Sequence, residues 1–343
     1  MRTQIVSARR NSTTILGYGA LAVLSLVACS PTPSLAAGDC GSLTVPRVPV
    51  DAEPLYIGRS AHAFRDSSGS LRVVLGPMLR EPEQTQVTDL DPANVRLDLE
   101  STQVTRFQLS RPSTAAPVAL DVVFAIDTAA SAPWTIEGVR RGVAAFVAQL
   151  ESMGFDPAIG GIEFSDEVRT GVDIGSPSAF EDWLSKLTSL GGGDAPSSAF
   201  DALEKLNQFA YRHEATRYVV VLTGGGLHER GDGTTCSTFT FGEAAYRVRF
   251  DQFTSMIYVN SGANAGIDPR YFTQAVGGLA LPISTDAARS FDLSRDEPPL
   301  TNVLMHSYLL TAPAGTYPEA ARSGSVRMTI DGEDVLATFV LTQ

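Results

Sequence analysis

The sequence predicts an α/β fold: a mostly parallel sheet with helices on both faces, flanked by β-strands from both chain ends that form a sandwich-like domain. Three observations predict it. Residues 117–131, PVALDVVFAIDTAAS, hold a nearly continuous apolar run that stops at Asp127, the pattern of a strand buried on both faces. Between residues 117 and 304, short apolar runs alternate with helical periodicity, which implies parallel pairing through helical crossovers. On either side of that span the runs alternate residue by residue with turn residues between them, the period of strands with one buried face.

The chain opens with a targeting pattern. Arg2, Arg9 and Arg10 make a positive start, and the apolar run over residues 15–28 is too short to span a bilayer comfortably, so residues 1–28 read as an export signal. Its end, Leu26-Val27-Ala28-Cys29, resembles a bacterial lipobox, in which the cysteine is lipidated and becomes the new first residue. Ser30 follows, where a retention signal would place Asp. The resemblance implies an outer-membrane lipoprotein anchored through Cys29. Secretion or periplasmic release, with cleavage after Ser34, Ala36 and Ala37, is the alternative. Residues 29–51 are rich in Pro, Ser and Gly and read as a flexible tether.

Loss of residues 1–28 removes three arginines and no acid, taking the net charge from −12 to about −15. A polyanion is repelled by such a surface, which excludes nucleic acid as a partner. Lipidation or removal of Cys29 leaves Cys40 and Cys236, an even pair in an exported chain, and predicts a bridge between them. Closing so long a loop stabilises by at most ~5 kcal/mol.

The β-runs of the first flank are residues 56–64, 71–75, 95–99 and 104–109, and those of the second are 308–311, 326–330 and 336–341, with the Asp331-Gly332 hairpin signal before the last. Neither flank alone supplies enough strands for a covered sheet, so residues 52–116 and 305–343 are expected to pair as one domain of about seven strands. Two small β-elements packed independently are the alternative. Within 117–304, Ile136, Val139, Val143, Phe146, Val147 and Leu150 share one helical face, predicting a helix over 135–153. Strands follow over 158–164 and 168–174, a helix through Phe180, Leu184 and Leu187, and a helix over 197–211. Three more strands over 218–222, 256–260 and 279–283 and a helix starting near Asp286 complete the pattern.

The 117–131 stretch resembles the start of a von Willebrand factor A (VWA) domain, whose first strand ends in Asp-x-Ser-x-Ser and contributes to a metal-ion-dependent adhesion site. Here the residues are Asp127, Thr128, Ala129, Ala130 and Ser131. The run Gly191-Gly192-Gly193-Asp194-Ala195-Pro196-Ser197 resembles the Gly-Gly-Asp-x-Pro-Glu segment of bacterial A domains, with Ser197 in place of the glutamate. Thr223-Gly224-Gly225-Gly226 resembles the family's Thr-Asp-Gly, with Gly224 in place of the acid. The resemblance assigns Asp127, Ser131 and Asp194 to the metal site, while Ala129, Ser197 and Gly224 depart from it. Thr128, Ser198 and Thr223 are substitute oxygens. Magnesium requires near-octahedral oxygen geometry and calcium tolerates irregular shells, so the expectation is a vestigial or weak site that ordinarily holds no metal. The alternative use of Asp127 and Ser131 is to satisfy backbone donors in their loop.

Residues 225–240 form a long loop carrying His228, Glu229, Arg230, Asp232 and Cys236. Its Arg230-Gly231-Asp232 tripeptide is read as a chance match to an integrin ligand. The four histidines are His62, His213, His228 and His306, and the sequence holds no His-Glu-x-x-His, no Gly-x-Ser-x-Gly and no phosphate-binding Gly-x-x-x-x-Gly-Lys. His228 with Glu229 and a distant serine makes a triad on paper only. The sequence therefore predicts no enzyme. It predicts a tethered extracytoplasmic module that binds a protein partner through the loops at the strands' carboxyl ends. A constitutive scaffold in a cell-envelope assembly is the alternative.

Overall fold

The computed structural model describes residues 56–57, 60–80, 85–115, 117–189, 197–234, 236–248, 255–260, 266–283, 291–294 and 300–342. The first flank contributes β1 (Tyr56–Ile57), β2 (Ala61–Arg65), β3 (Leu71–Leu75), β4 (Leu79–Arg80), β5 (Thr85–Gln86), β6 (Val95–Leu99), β7 (Thr102–Val104) and β8 (Gln108–Ser110). The α/β part contains β9 (Val118–Asp127), α1 (Pro133–Ser152), β10 (Phe155–Phe164), β11 (Val168–Gly175), α2 (Pro177–Leu184), α3 (Ala199–Leu206) and β12 (Thr216–Thr223). It continues with α4 (Phe241–Arg247), β13 (Ser255–Asn260), α5 (Pro269–Val276), β14 (Leu279–Pro282) and α6 (Leu300–Met305). The last flank adds β15 (Tyr308–Ala312), β16 (Ser323–Ile330) and β17 (Glu333–Thr342).

Six strands form the α/β sheet in the order β11-β10-β9-β12-β13-β14, every pair parallel except β10 with the edge strand β11. The apolar run that ends in Asp127 is thus the inner strand β9, hydrogen-bonded on both sides and covered on both faces. Leu120, Val122, Phe124 and Ile126 point to one face and pack with α1, α2 and α6 through Val139, Phe146, Leu150, Phe180 and Val303. Val123 and Ala125 point to the other, packing with α3, α4 and α5 through Phe200, Leu203, Val248 and Phe272. Because β9 lies between strands reached in opposite directions, its carboxyl end opens at a topological switch point, where such sheets bind ligands.

The flanking strands form one eight-stranded sheet in the order β7-β6-β16-β17-β2-β3-β15-β8. Strands from both chain ends therefore share one ladder, β16 pairing with β6 and β17 with β2. β7 and β8 lie at opposite edges of this sheet, yet only residues 105–107 separate them. So short a link reaches roughly 14 Å at most, and the sheet must curl until its edges approach. The result is a sandwich-like domain around a single core that includes Ala63, Val73, Leu97, Leu310, Val326, Met328 and Ala337. Asp331 and Gly332 take positive φ values of 53° and 87° in a two-residue turn between β16 and β17, as their dipeptide requires. Phe64, Val74 and Leu309, on the other face of the curled sheet, join the core around α1, as does Leu79 of β4.

Several boundaries differ from the expectations. The run 104–109 is split between β7 and β8, because residues 105–107 make the crossing from one sheet edge to the other. The run 56–64 is likewise divided, β1 pairing with β4 in a separate three-stranded sheet and β2 joining the large one. The helix expected over 197–211 is confined to α3, since Ser197 forms a β-bridge with Leu227 and Asn207 caps the other end. The helix start expected near Asp286 lies outside the described residues. Among the described residues no helix is long and apolar enough to cross a membrane.

Candidate functional site

Asp127 ends β9 with its side chain 1 % exposed. A carboxylate removed from water must find donors, and Asp127 finds four. Oδ1 accepts the Ala129 N–H at 2.9 Å. Oδ2 accepts the Ser197 hydroxyl at 2.9 Å, the Thr223 hydroxyl at 2.9 Å and the Gly224 N–H at 3.4 Å. Burial pushes its pKa above the ordinary carboxylate value, and the bonds from Ala129, Ser197, Thr223 and Gly224 oppose that shift. The neighbouring backbone is tied into the same cluster. The Thr135 hydroxyl, in the first turn of α1, donates to the Asp127 carbonyl at 2.5 Å and to that of Ala132 at 2.8 Å.

The described residues of the expected metal site and its substitutes are placed as follows. Ser131 is exposed, and Asp194 lies outside the described residues. Thr128 turns its hydroxyl to the Phe164 carbonyl at 3.2 Å, and Ser198 donates to the carbonyls of Asp166 and Cys236. Of the substitute oxygens only Thr223 reaches Asp127. The residue that sequence reasoning counted as a loss, Ser197, is the one whose hydroxyl closes the cluster, and Gly224 contributes its N–H. Octahedral magnesium needs a set of free oxygen acceptors. Among the described residues the carboxylate at the centre, Asp127, is engaged by donors on both oxygens, so these residues do not fit such a shell. Among the described residues no group of three or more His, Cys, Asp or Glu is placed to hold a metal ion.

Backbone bonds stitch the surrounding loops together. Ser197 N–H donates to Gly226 O and His228 N–H to Ser197 O, each at 3.0 Å, while Leu227 and Ile267 exchange bonds of 2.9 Å. Ser198 N–H reaches Ser165 O at 2.8 Å.

The 225–240 segment is ordered by its own side chains. His228 Nδ1 lies 2.7 Å from Asp232 Oδ2, the two side chains being 1 % and 5 % exposed. The acid beside His228 is therefore Asp232, whereas Glu229 accepts the Phe241 N–H at 3.0 Å. Among the described residues His228 Nε2 has no hydrogen-bond partner, and no described serine hydroxyl reaches it. Arg230 pairs with Glu243 at 2.7 Å. With Asp232 buried and bonded, the Arg-Gly-Asp tripeptide does not present its acid to solvent. Asp201, in the first turn of α3, accepts Ser237 Oγ at 2.7 Å and the Thr238 N–H at 3.1 Å, clasping the far end of the segment. Of the two cysteines expected to be bridged, Cys236 is described and Cys40 lies outside the described residues, as does Cys29.

No protein-family model matches the chain, and no curated protein matches it. Solved structures similar to it include proximal thread matrix protein 1 from the mussel byssus, 14% identical over 61% of this chain and 50% of that one, with a TM-score of 0.41. An aerotolerance-related membrane protein from Bacteroides fragilis is 16% identical over 53% of this chain and 98% of that one, with a TM-score of 0.37. The SpRpn10 VWA domain is 12% identical over 51% and 94%, with a TM-score of 0.37. The chain thus spans about half the length of the mussel protein.

Proposed function

We propose that this chain is a membrane-tethered, extracytoplasmic protein-binding module of the adhesion type, working through the loops at the carboxyl ends of β9 and β12. Its metal-ion-dependent site is degenerate, it carries no metal cofactor, and it catalyses no reaction. The observation that carries this reading is the buried Asp127 carboxylate, which gathers donors from the loop after β9, from Ser197 ahead of α3, and from the end of β12 and the loop that follows it, at the switch point of the sheet. The character of the rim supports binding over a constitutive assembly interface. Among the described residues the exposed large hydrophobics are Tyr246, Leu336 and Val340, none of them in the loops that meet Asp127, whereas Ala130 and Ser131 are exposed there. A permanent interface would require an apolar patch at that rim.

The tether rests on the Cys29 pattern, which argues for a lipid anchor in the outer membrane, with periplasmic release or secretion as the alternative. A bridge from Cys40 to Cys236 would fix the loop-face segment to the tether end. The experiment is site-specific photo-crosslinking in intact cells. A crosslinker at Ser131 is expected to capture an envelope protein that one at Leu336 does not. Equal capture at both positions, or none at Ser131, contradicts the assignment of the loop face.

A further inference from the structure

The resemblance implies a cation at the carboxyl end of β9, and the side chains present supply dipoles in its place. We propose that Asp127, Ser197 and Thr223 form a cation-independent strut that holds the loops after β9, before α3 and after β12 in one fixed arrangement. This concerns how the face is held and stands whether or not a partner binds there.

The strut joins residues 70 and 96 positions apart, and each arm is itself immobilised. Ser197 is gripped by backbone bonds on both sides, to Gly226 and His228, so its hydroxyl approaches Asp127 from a fixed direction. Thr223 belongs to β12, and its hydroxyl oxygen also accepts the Gly225 N–H at 3.3 Å. A Thr side chain is stiff at χ1, which keeps that oxygen between its two partners. The bonds from Ala129, Ser197 and Thr223 are each 2.9 Å, well inside hydrogen-bond range.

The three departures from the metal pattern interlock. At Ala129 the side chain is buried and the N–H serves Oδ1. At Gly224 a Cβ would stand 2.9 Å from the Ala132 Cβ, and Ala132 is fully buried at the start of α1. An acid at 224 would therefore press on that helix start and set a second carboxylate beside a buried one. A glutamate at 197 would replace a donor with another acceptor facing Asp127. Each departure leaves a donor, or room for one, where the metal pattern places a ligand.

The test is thermal unfolding of the full-length protein in detergent, in EDTA and in millimolar manganese, together with amide exchange at Ala129 and Gly224. Wild type is expected to unfold at the same midpoint in both conditions, with both amides slow and equally protected. Ser197→Ala and Thr223→Val are each expected to lower the midpoint by several degrees in both conditions and to speed exchange at Gly224. Ser197→Glu lowers it further. A wild-type midpoint or protection that rises with manganese overturns the proposal, as do variants with unchanged midpoint and exchange. If the variants fail to fold, the wild type decides: rapid exchange of Ala129 and Gly224 in EDTA overturns it.

Discussion

The Tyr218 and Ser307 hydroxyls lie 2.9 Å apart, both fully buried, and join β12 of the α/β sheet to the turn that returns the chain to the curled sheet. Ser307 also donates to the Leu304 carbonyl at 2.9 Å, so its oxygen is left to accept from Tyr218. Removal of the two partners is therefore unequal. Tyr218→Phe takes away a donor and leaves Ser307 bonded, at a cost of about 1 kcal/mol. Ser307→Ala strands the phenol in the core and should cost up to ~3 kcal/mol. Chemical denaturation of both variants checks the order, and a costlier Tyr218→Phe contradicts it.

Asp121 is fully buried in β9 and is held by Arg212, whose Nε reaches Oδ1 at 2.7 Å and whose N–H reaches Oδ2 at 2.8 Å. Burial raises the Asp121 pKa, and the Arg212 bonds and charge oppose the rise. Arg212→Ala removes the guanidinium from that carboxylate but leaves the Arg212 N–H and the nearby Arg217 charge, and with Arg212 a third exposed the loss should be about 1.5–3 kcal/mol. The double change with Asp121→Asn should recover part of it, which urea titration of single and double variants measures.

His62 makes stability depend on pH. It sits on β2 at 5 % exposure, its Nε2 unpartnered among the described residues, and its pKa falls from 6.5 to about 3 through burial first, then the nearby Arg217 and His213 charges. The folded chain excludes a proton that the unfolded chain binds, so this contribution to stability is complete above pH 6.5 and is lost as pH falls toward 3. Within that window the folding constant should drop by up to about tenfold per pH unit on account of this residue. Denaturant midpoints of wild type and His62→Gln between those limits check it; parallel pH profiles would remove His62 as the cause.

Alkylation of the denatured protein without reductant should leave Cys40 and Cys236 unlabelled, and with reductant both should take label. Two labelled thiols without reductant would break the proposed pairing. The bridge's loop-entropy contribution, at most ~5 kcal/mol, would show as a lowered midpoint after reduction.

Much of this fold is legible in the sequence because its signals are local. The run into Asp127 marks an inner strand, Asp331-Gly332 marks a hairpin, and the spacing of Val139, Val143, Phe146 and Leu150 marks α1. Two short helices were not foreseen although their caps are present. Thr240 and Glu243 form a capping box at α4, and Asp268 caps α5 ahead of Pro269. Both helices are short and, unlike α2 and α3 of similar length, contain no leucine, so the apolar periodicity does not register. The paths of residues 104–109 and Ser197 depend on contacts far away in the chain. Only the curling of a sheet built from both ends sends β7 and β8 to opposite edges. Only the approach of loops 70 residues apart turns Ser197 from a missing ligand into a donor, and equally distant contacts set the Thr128 and Ser198 hydroxyls on the carbonyls of Phe164, Asp166 and Cys236.

The central claim is that the Asp127 carboxylate is satisfied by protein donors and that the loop face needs no cation. Calorimetric titration of the purified protein with magnesium, calcium and manganese, beside an Asp127→Ala control, tests it most directly. The account predicts no saturable heat with any of the three ions in either protein. Saturable binding to the wild type that vanishes in Asp127→Ala would contradict it and restore a working metal site.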